Sequence, residues 1–360
     1  MPKRVLVAMS GGVDSSVAAA LLKDQGYDLI GATMNVWSAF APTVVGASAD
    51  KPSRSCCGIT AATDAKKVAD KLGIPHYTLN FKDVFQKCVI DDFITEYKQG
   101  RTPNPCIRCN QFIKFKHLAQ KARELGCDYV ATGHYVRRLQ VTGYRLLKGI
   151  DKKKDQSYVL YMMSQGDLAH TLFPLGDMTK DEVRKLAKKY GLTTHDKPES
   201  QEICFVEDDD YVRFLKENDP ESVKPGNIID NQGNVVGQHQ GIAFYTLGQR
   251  KGIGAHKSQP KYVIRLDREN NQVVIGDDGD TYQRELIADE LSFIDGEMER
   301  WKDGEGIRIA AKIRYNSKEE AATLYPDGKV VFDQPQRSIT PGQSVVFYSG
   351  EEVLGGGIIA

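Results

Sequence analysis

Three cysteines and one glycine–serine turn are the parts of this sequence with chemistry to offer. In "GRTPNPCIRCNQFIKF", Cys106 and Cys109 stand three positions apart, the first directly behind Pro105. The two prolines stiffen the approach to them. Cys109 is expected at the mouth of a helix that starts near Gln111, with Arg108 and Lys114 close in sequence. A helix N-terminus and nearby cations favour a thiolate. Cys204 follows a polar turn in "KPESQEICFVEDDDY". Half a zinc site is the other reading of Cys106 and Cys109, although a lone C-x-x-C lacks the second pair that structural zinc needs. For Cys204 the other reading is a buried structural thiol. Near the N-terminus, "AMSGGVDSSVAAALL" passes from an apolar strand into a helix through Gly11 and Gly12. Glycines let the backbone approach a ligand closely, and the helix then aims its unpaired N–H groups at it. The hydroxyls of Ser10, Ser15 and Ser16 can donate to phosphate oxygens. There is no lysine of the G-x-x-x-x-G-K-[ST] kind. Asp14 would repel phosphate unless Mg2+ lay between them, so the turn suits a pyrophosphate with metal. A plain helix N-cap behind a strand is the bland alternative.

The elements around these residues alternate. "KRVLVAM" reads as a strand, "DSSVAAALLKDQG" as a helix ending at Gly26, and "YDLIGATMNVW" as a strand. A long surface loop is expected over Ser38–Ser55. "GITAATDAKKVADKLG" places Ala62, Ala65, Ala69 and Leu72 on one helical face and stops at Gly73. "PHYTLNF" and "CDYVATGHY" read as strands, "KDVFQKCVIDDFITEYKQG" and "QFIKFKHLAQKARELG" as helices. Interleaved strands and helices imply an α/β, Rossmann-like domain with a parallel sheet covered on both faces. Ligands of such sheets lie beyond the carboxyl ends of the strands, where the glycine turn, Met34, Gly133 and His134 fall. A further helix carries a capping box from Thr179 to Glu182 and stops at Gly191. Beyond Cys204 the texture changes to short strands with Asn/Gly turns, and from about Glu285 to strand after strand, as in a small closed barrel. The expected organisation is residues 1–204 as the parallel-sheet catalytic domain, 205–281 as a small mixed or β-rich middle domain and 282–360 as a C-terminal β-barrel.

Bulk properties narrow the class. The 360 residues are 41% hydrophobic, and Lys+Arg and Asp+Glu both number 48, so any RNA binding must come from local basic patches. No stretch approaches the ~20 apolar residues of a membrane helix, and no signal peptide is evident, so a soluble cytoplasmic protein is expected. Seven cysteines are too sparse for a secreted disulfide framework. Cys56, Cys57, Cys88 and Cys127 read as packing thiols, His76 and His117 as structural.

"SGGVDSSVAA" resembles the PP-loop of ATP pyrophosphatases, which cleave ATP to AMP and pyrophosphate. That superfamily includes synthetases and tRNA thiolases. Joined with "TPNPCIRCN", "ATGHY", "KKKDQSYVLY", "ESQEICF", "LGQRKGIG" and "ITPGQSVVFY", in this order and over nearly the whole chain, it resembles the tRNA-specific 2-thiouridylase family. The resemblance implies a PP-loop domain, a small middle domain and a C-terminal barrel acting on the wobble uridine of certain tRNAs. It implies ATP held by Ala8, Met9, Ser10, Gly11, Gly12, Val13, Asp14 and Ser15 with Met34 and Gly133. Asn104, Pro105 and Cys106 would meet the target base. Cys109 would be the nucleophile and Cys204 the carrier of persulfide sulfur, the two ending as a disulfide that a reductant resets. His134, Lys154, Asp155, Gln156, Arg314, Tyr315 and Gln343 would touch tRNA. Many members carry Asp, a proposed base, where this chain has Cys106, so the role of that thiol is open.

Partners follow from that chemistry: tRNA, and a persulfide donor such as a cysteine desulfurase or sulfur-relay protein. The cofactor set is ATP with Mg2+. A rival mechanism would gather Cys106, Cys109 and Cys204 around a [4Fe-4S] cluster. Rival functions are a PP-loop ligase or amidotransferase for a small molecule and a non-catalytic RNA-binding protein. Lys152–Lys154 and the Arg250–Lys251 loop read as RNA contacts or solvated turns. Asp155 and Gln156 could also cap the next helix. Tyr315, Tyr325 and Tyr348 are stacking candidates, or barrel core.

Overall fold

The structure, a computed structural model, describes residues 1–36, 59–197, 203–206, 210–220, 223–253, 260–295 and 305–360. The Ser38–Ser55 loop, Cys56, Cys57 and the Glu199–Glu202 turn lie outside the described residues.

Apolar runs in the first half build a five-stranded parallel sheet in the order His76–Asn80, Asp28–Asn35, Arg4–Ala8, Tyr129–Ala131 and Thr171–Leu172. Successive side chains of a strand point to opposite faces. Val5, Val7 and Met9 therefore enter one hydrophobic cluster, with helices Val13–Asp24, Ile59–Leu72 and Lys180–Lys189. Leu6 and Ala8 enter the other, with the helical runs 82–98 and 109–124. The chain turns back at the central Arg4–Ala8 strand, placing a crevice between the ends of that strand and Tyr129–Ala131. Helix Ile59–Leu72 buries Ala61, Ala65, Val68 and Ala69; the core face is rotated from the Ala62–Leu72 stripe because Ala62 and Leu72 are only half-buried. The Thr179–Glu182 capping box is present as read.

Both long helical runs on the Leu6 face contain widened i→i+5 segments, Gln86–Ile90 and Cys109–Leu118. Such turns often sit at functional sites. Sequence periodicity tuned to 3.6 residues could not register them.

Strands Tyr262–Asp267, Gln272–Gly276, Gly226–Asp230 and Val235–His239 form the mixed middle sheet. A helix absent from the reading above, Tyr211–Asn218, precedes it and packs Phe214 and Leu215 with Phe205 and Val206 into the first region's core. Six antiparallel strands, Tyr282–Phe293, Lys329–Arg337, Glu320–Leu324, Ile307–Lys312, Ser344–Ser349 and Glu352–Ile359, then close into a barrel by pairing of the last with the first. The fold class read from the sequence is the one observed. One feature crosses it: a hairpin of the first region, Val136–Gln140 and Tyr144–Lys148, extends the barrel sheet at Leu146 and Leu147 against Val353 and Glu352. Leu146 and Ile107 share a core with Val346, Tyr348 and Val353. Among the described residues no helix is long and apolar enough to cross a membrane.

Candidate functional site

The glycine turn leaves the central strand at Ala8. Gly11 takes φ +66°, a left-handed backbone that favours glycine, and any Cβ there would strike the Ala61 carbonyl. Gly12 is the N-cap and carries no side chain, so the first N–H groups of helix Val13–Asp24 have no side-chain cap. The Ser16 hydroxyl donates to the Gly12 carbonyl at 2.7 Å, and the Ser10 N–H donates to Ser15 Oγ at 3.1 Å. Gly133 closes the turn from the neighbouring strand end: a Cβ there would lie 2.9 Å from the Ser15 nitrogen. The space above the helix mouth therefore depends on glycine on two sides. This cradle of amides and hydroxyls fits the phosphates of a nucleotide. Met34 is buried at the end of the adjacent strand, in one cluster with Ala8.

Asp14 departs from expectation. Its carboxylate accepts hydrogen bonds from Lys180 Nζ at 2.8 and 2.7 Å and from the Tyr135 hydroxyl at 2.7 Å. Lys180 is 7% exposed, so its nearly buried charge is neutralised by the partly exposed Asp14 carboxylate. A carboxylate spent this way is not a fit for bridging Mg2+ to phosphate. Lys197 adds a second tie, donating to the Gly11 carbonyl at 3.1 Å and pairing with Asp64 at 3.0 Å. Neither lysine was singled out from sequence. A cation in the first turn of a helix opposes the helix dipole, and that misfit at Lys180 was the available signal.

From Gly133 the chain leads toward the cysteines. His134 is buried and bonded to Thr132 Oγ1 at 2.8 Å and to Lys114 Nζ at 3.4 Å. Burial, with the Lys114 charge alongside, holds its imidazole well below the usual range, so the ring is neutral. A lysine donating to Nε2 leaves the proton on Nδ1, which donates to Thr132. Lys114 stands five residues after Cys109 in a segment whose bonds run i→i+5, hence one turn along the same helix.

The cysteine helix begins earlier than its sequence suggested. Asn104 is its N-cap and accepts from the Cys106 N–H at 3.2 Å, Pro105 occupies the first turn, and helical backbone continues through Cys109. Cys106, not Cys109, sits at the helix mouth; proline at the first helical position and asparagine as cap explain the shift. Cys106 is exposed, whereas Cys109 and Cys204 are half-buried. Far apart along the chain, Cys109 and Cys204 pack against one hydrophobic cluster, which also holds Ala8 and Met34. Arg108 binds Glu290 of the barrel through its guanidinium. Among the described residues no three His, Cys, Asp or Glu side chains gather as metal ligands.

The residues assigned to tRNA divide into two groups. Tyr315 is exposed, and its hydroxyl donates to the Asp155 carbonyl at 3.2 Å, bringing the 154–156 and 314–315 stretches together. Lys312, whose ammonium is weakened by burial, lies 5.7 Å from the Tyr315 ring centre. Arg250 and Lys251 are exposed. The others turn inward. Asp155 accepts from Gly149 N at 3.0 Å and from the Ser157 hydroxyl at 2.7 Å. Gln156 Oε1 accepts from Tyr135 N at 3.0 Å, Arg314 donates to the Arg337 carbonyl at 2.9 Å, and Gln343 donates to the Thr102 carbonyl at 2.7 Å. Tyr348 is fully buried beneath Lys148 and is no stacking platform.

Comparison with known proteins fits this layout. Residues 3–208 match the tRNA methyl transferase HUP domain family, 212–277 the tRNA methyl transferase PRC-barrel domain and 283–359 the aminomethyltransferase beta-barrel domain. The tRNA-specific 2-thiouridylase of Acetivibrio thermocellus is 51% identical over 99% of this chain and 99% of its own. That of Carboxydothermus hydrogenoformans is 52% identical over 99% of this chain and 97% of its own. A solved 4-thiouridine synthetase–RNA complex with bound ATP aligns with 61% of this chain and 51% of its own at 16% identity and a TM-score of 0.34, too slight to carry an argument. Half-identity sustained from end to end, across all three regions, decides the matter: the chain belongs to the tRNA-specific 2-thiouridylase (MnmA) family of tRNA-modifying sulfurtransferases.

Proposed function

We propose that this protein replaces the 2-oxygen of the wobble uridine in tRNA with sulfur, at the expense of ATP. The observation that carries the reading is that Cys109 and Cys204 pack on the same cluster as Ala8 and Met34. ATP binds with its phosphates over Ser10, Gly11, Gly12 and Ser15. The uridine O2 attacks the α-phosphorus, pyrophosphate leaves, and the base carries AMP on oxygen. Cys204, charged as a persulfide by a donor protein, attacks C2 with its terminal sulfur and AMP departs with the oxygen. The Cys109 thiolate then attacks the Cys204 sulfur, the persulfide S–S bond breaks, and its electron pair stays on the sulfur now bound to C2. A Cys109–Cys204 disulfide remains, and a thiol reductant resets it. Disulfide formation needs Cα atoms within about 7 Å, so both residues must reach one another. Cys106, at the helix mouth where a thiolate is favoured, takes the proton that a carboxylate takes in other members. Lys154 and Tyr315 meet RNA, while Asp155, Gln156, Arg314 and Gln343 shape the surface it meets, and His134 forms part of the floor. Residues 1–204, 205–281 and 282–360 act as catalytic, connecting and tRNA-contacting units.

The test is incubation with ATP, a persulfide donor and bulk tRNA, followed by nucleoside analysis. The wild type is expected to yield 2-thiouridine and AMP in equal amounts. The Cys204→Ser protein is expected to adenylate tRNA and leave it unthiolated. AMP formation that ignores tRNA would instead mark a small-molecule ligase, and normal thiolation by Cys204→Ser would end the persulfide assignment.

A further inference from the structure

Directly before Cys109, Arg108 is gripped from outside its own domain. Its side chain is 15% exposed, and its two terminal nitrogens donate to the Glu290 carboxylate at 2.8 and 3.0 Å. Its Nε lies 3.3 Å from Asp92. A fork-on-carboxylate pair fixes direction as well as distance. The Glu290 carboxyl is held below its usual range by Arg108, while burial pushes Asp92 up against the pull of the same guanidinium. Glu290 has an unusual backbone, φ +48°, although it carries a Cβ. It lies where strand Tyr282–Phe293 slips register against Glu352–Ile359, between Asp289 and Ser292. A bulge of this kind re-aims a side chain, and left-handed backbone at a non-glycine residue persists only where surroundings impose it.

The opposite flank of the cysteine stretch is also held by the barrel. The Thr102 N–H donates to the Pro341 carbonyl at 2.8 Å, and Arg101 donates to the Ile359 carbonyl at 3.2 Å. Between the two flanks Ile107 is packed against barrel residues.

We infer that Glu290 is a positioning residue for sulfur transfer: through Arg108 it orients the helical turn that carries Cys109. This rests on the function proposed above. An exposed ion pair contributes little to stability, and Glu290 is half open to water. Its effect is therefore geometric. The Cys109 sulfur must approach along the axis of the persulfide bond, and sub-ångström errors in such approaches slow reactions strongly. Adenylation, in which Cys109 takes no part, is untouched.

The variants are Glu290→Gln, which keeps shape and removes charge, and Glu290→Gly, which suits the left-handed backbone and so remains folded without the strut. Asp333→Asn is the control, because Asp333 forms an equally forked pair with Arg308 within the barrel, at 2.9 and 2.7 Å. Both Glu290 variants are expected to lower kcat for thiolation roughly 10-fold, with KM for tRNA within about two-fold and the single-turnover rate of pyrophosphate release unchanged. Glu290→Asp, which retains a carboxylate, is expected to recover part of the loss. Wild-type kcat in Glu290→Gln, or a change confined to KM, overturns the proposal, as does an equal loss in Asp333→Asn. Iodoacetamide labelling of Cys109 relative to exposed Cys106, read by peptide mass spectrometry, reports the same geometry without turnover. That ratio is expected to change about three-fold or more in the Glu290 variants and not in the control; an unchanged ratio overturns the proposal. A wild-type protein that makes no 2-thiouridine would sink the function proposed above, while the labelling ratio still decides the role of Glu290.

Discussion

The two ends of the candidate site are held in different ways. At the nucleotide end, every tie to the glycine turn comes from the N-terminal region: Gly133, Tyr135, Lys180 and Lys197 reach Gly11, Asp14 and Ser15 from neighbouring strand and helix ends. At the sulfur end, the stretch from Arg101 to Arg108 is fastened by Glu290, Pro341, Gln343 and Ile359 of the barrel. One end is built by the domain that contains it. The other is incomplete until the C-terminal third of the chain folds against it. The arrangement ties the barrel to the cysteine stretch rather than to the glycine turn.

The difference breaks most sharply at Gly133. A valine there would put its Cβ on the Ser15 nitrogen and fill the cradle. Gly133→Val is expected to reduce AMP formation roughly 100-fold or more, since misplacing the phosphates by an ångström has effects of that order. Labelling of Cys109 should stay as in the wild type. A valine variant that still cleaves ATP would show that the phosphates lie elsewhere.

Lys180→Met tests the same end through stability. It strands the Asp14 carboxylate beside Tyr135 with no cation. Removing one partner of a buried pair costs ~3–5 kcal/mol, and the partial exposure of Asp14 lowers the expectation here to ~2–3 kcal/mol. Urea unfolding measures it. Lys180→Met combined with Asp14→Asn should recover part of the loss, because the unpaired charge is gone. If the single variant is as stable as the wild type, the pair is not what holds the turn.

This contrast also marks what the sequence could reveal. The glycine turn was legible because its chemistry lies within ten consecutive residues, and strand–helix alternation put Gly133 at the same sheet edge. The cysteines were legible as types. Their setting was not: Asn104 as cap and Pro105 in the first turn obey known rules, yet the sequence pattern puts the helix start near Gln111, about six residues late, at the apolar run that follows. Glu290 reads in sequence as one more charge in an alternating strand. Only pairing across the chain reveals the register slip that turns it toward Arg108. Lys180 and Asp14 are likewise remote, and a short polar helix such as Tyr211–Asn218 offers too few turns for periodicity to assert itself.

At the sulfur end, Gln343→Ala removes the amide that holds the Thr102 carbonyl. A single net hydrogen bond is worth about 1 kcal/mol, so thiolation should fall about five-fold at most, with single-turnover pyrophosphate release unchanged. Equal losses of both activities would erase the distinction between the two ends.

His134 stands between them and offers the smallest effect. Its ring is neutral in the folded protein because burial, seconded by Lys114, disfavours the imidazolium. The unfolded chain's imidazole takes up a proton near pH ~6.5. Below that pH the unfolded state binds a proton that the folded state does not, so stability is lost as pH falls through about 6.5 and is complete above it. His134→Asn removes this linkage and retains a group able to bond Thr132. Urea midpoints taken at about pH 7.5 and 5.5 should therefore fall less in the variant than in the wild type, by the equivalent of ~1 kcal/mol. The Lys114→Met protein should lie between them, because the burial that dominates the shift remains when the ammonium is gone. An acid sensitivity unaltered by His134→Asn would mean that the ring carries its proton when folded, and that Lys114 does not donate to its Nε2.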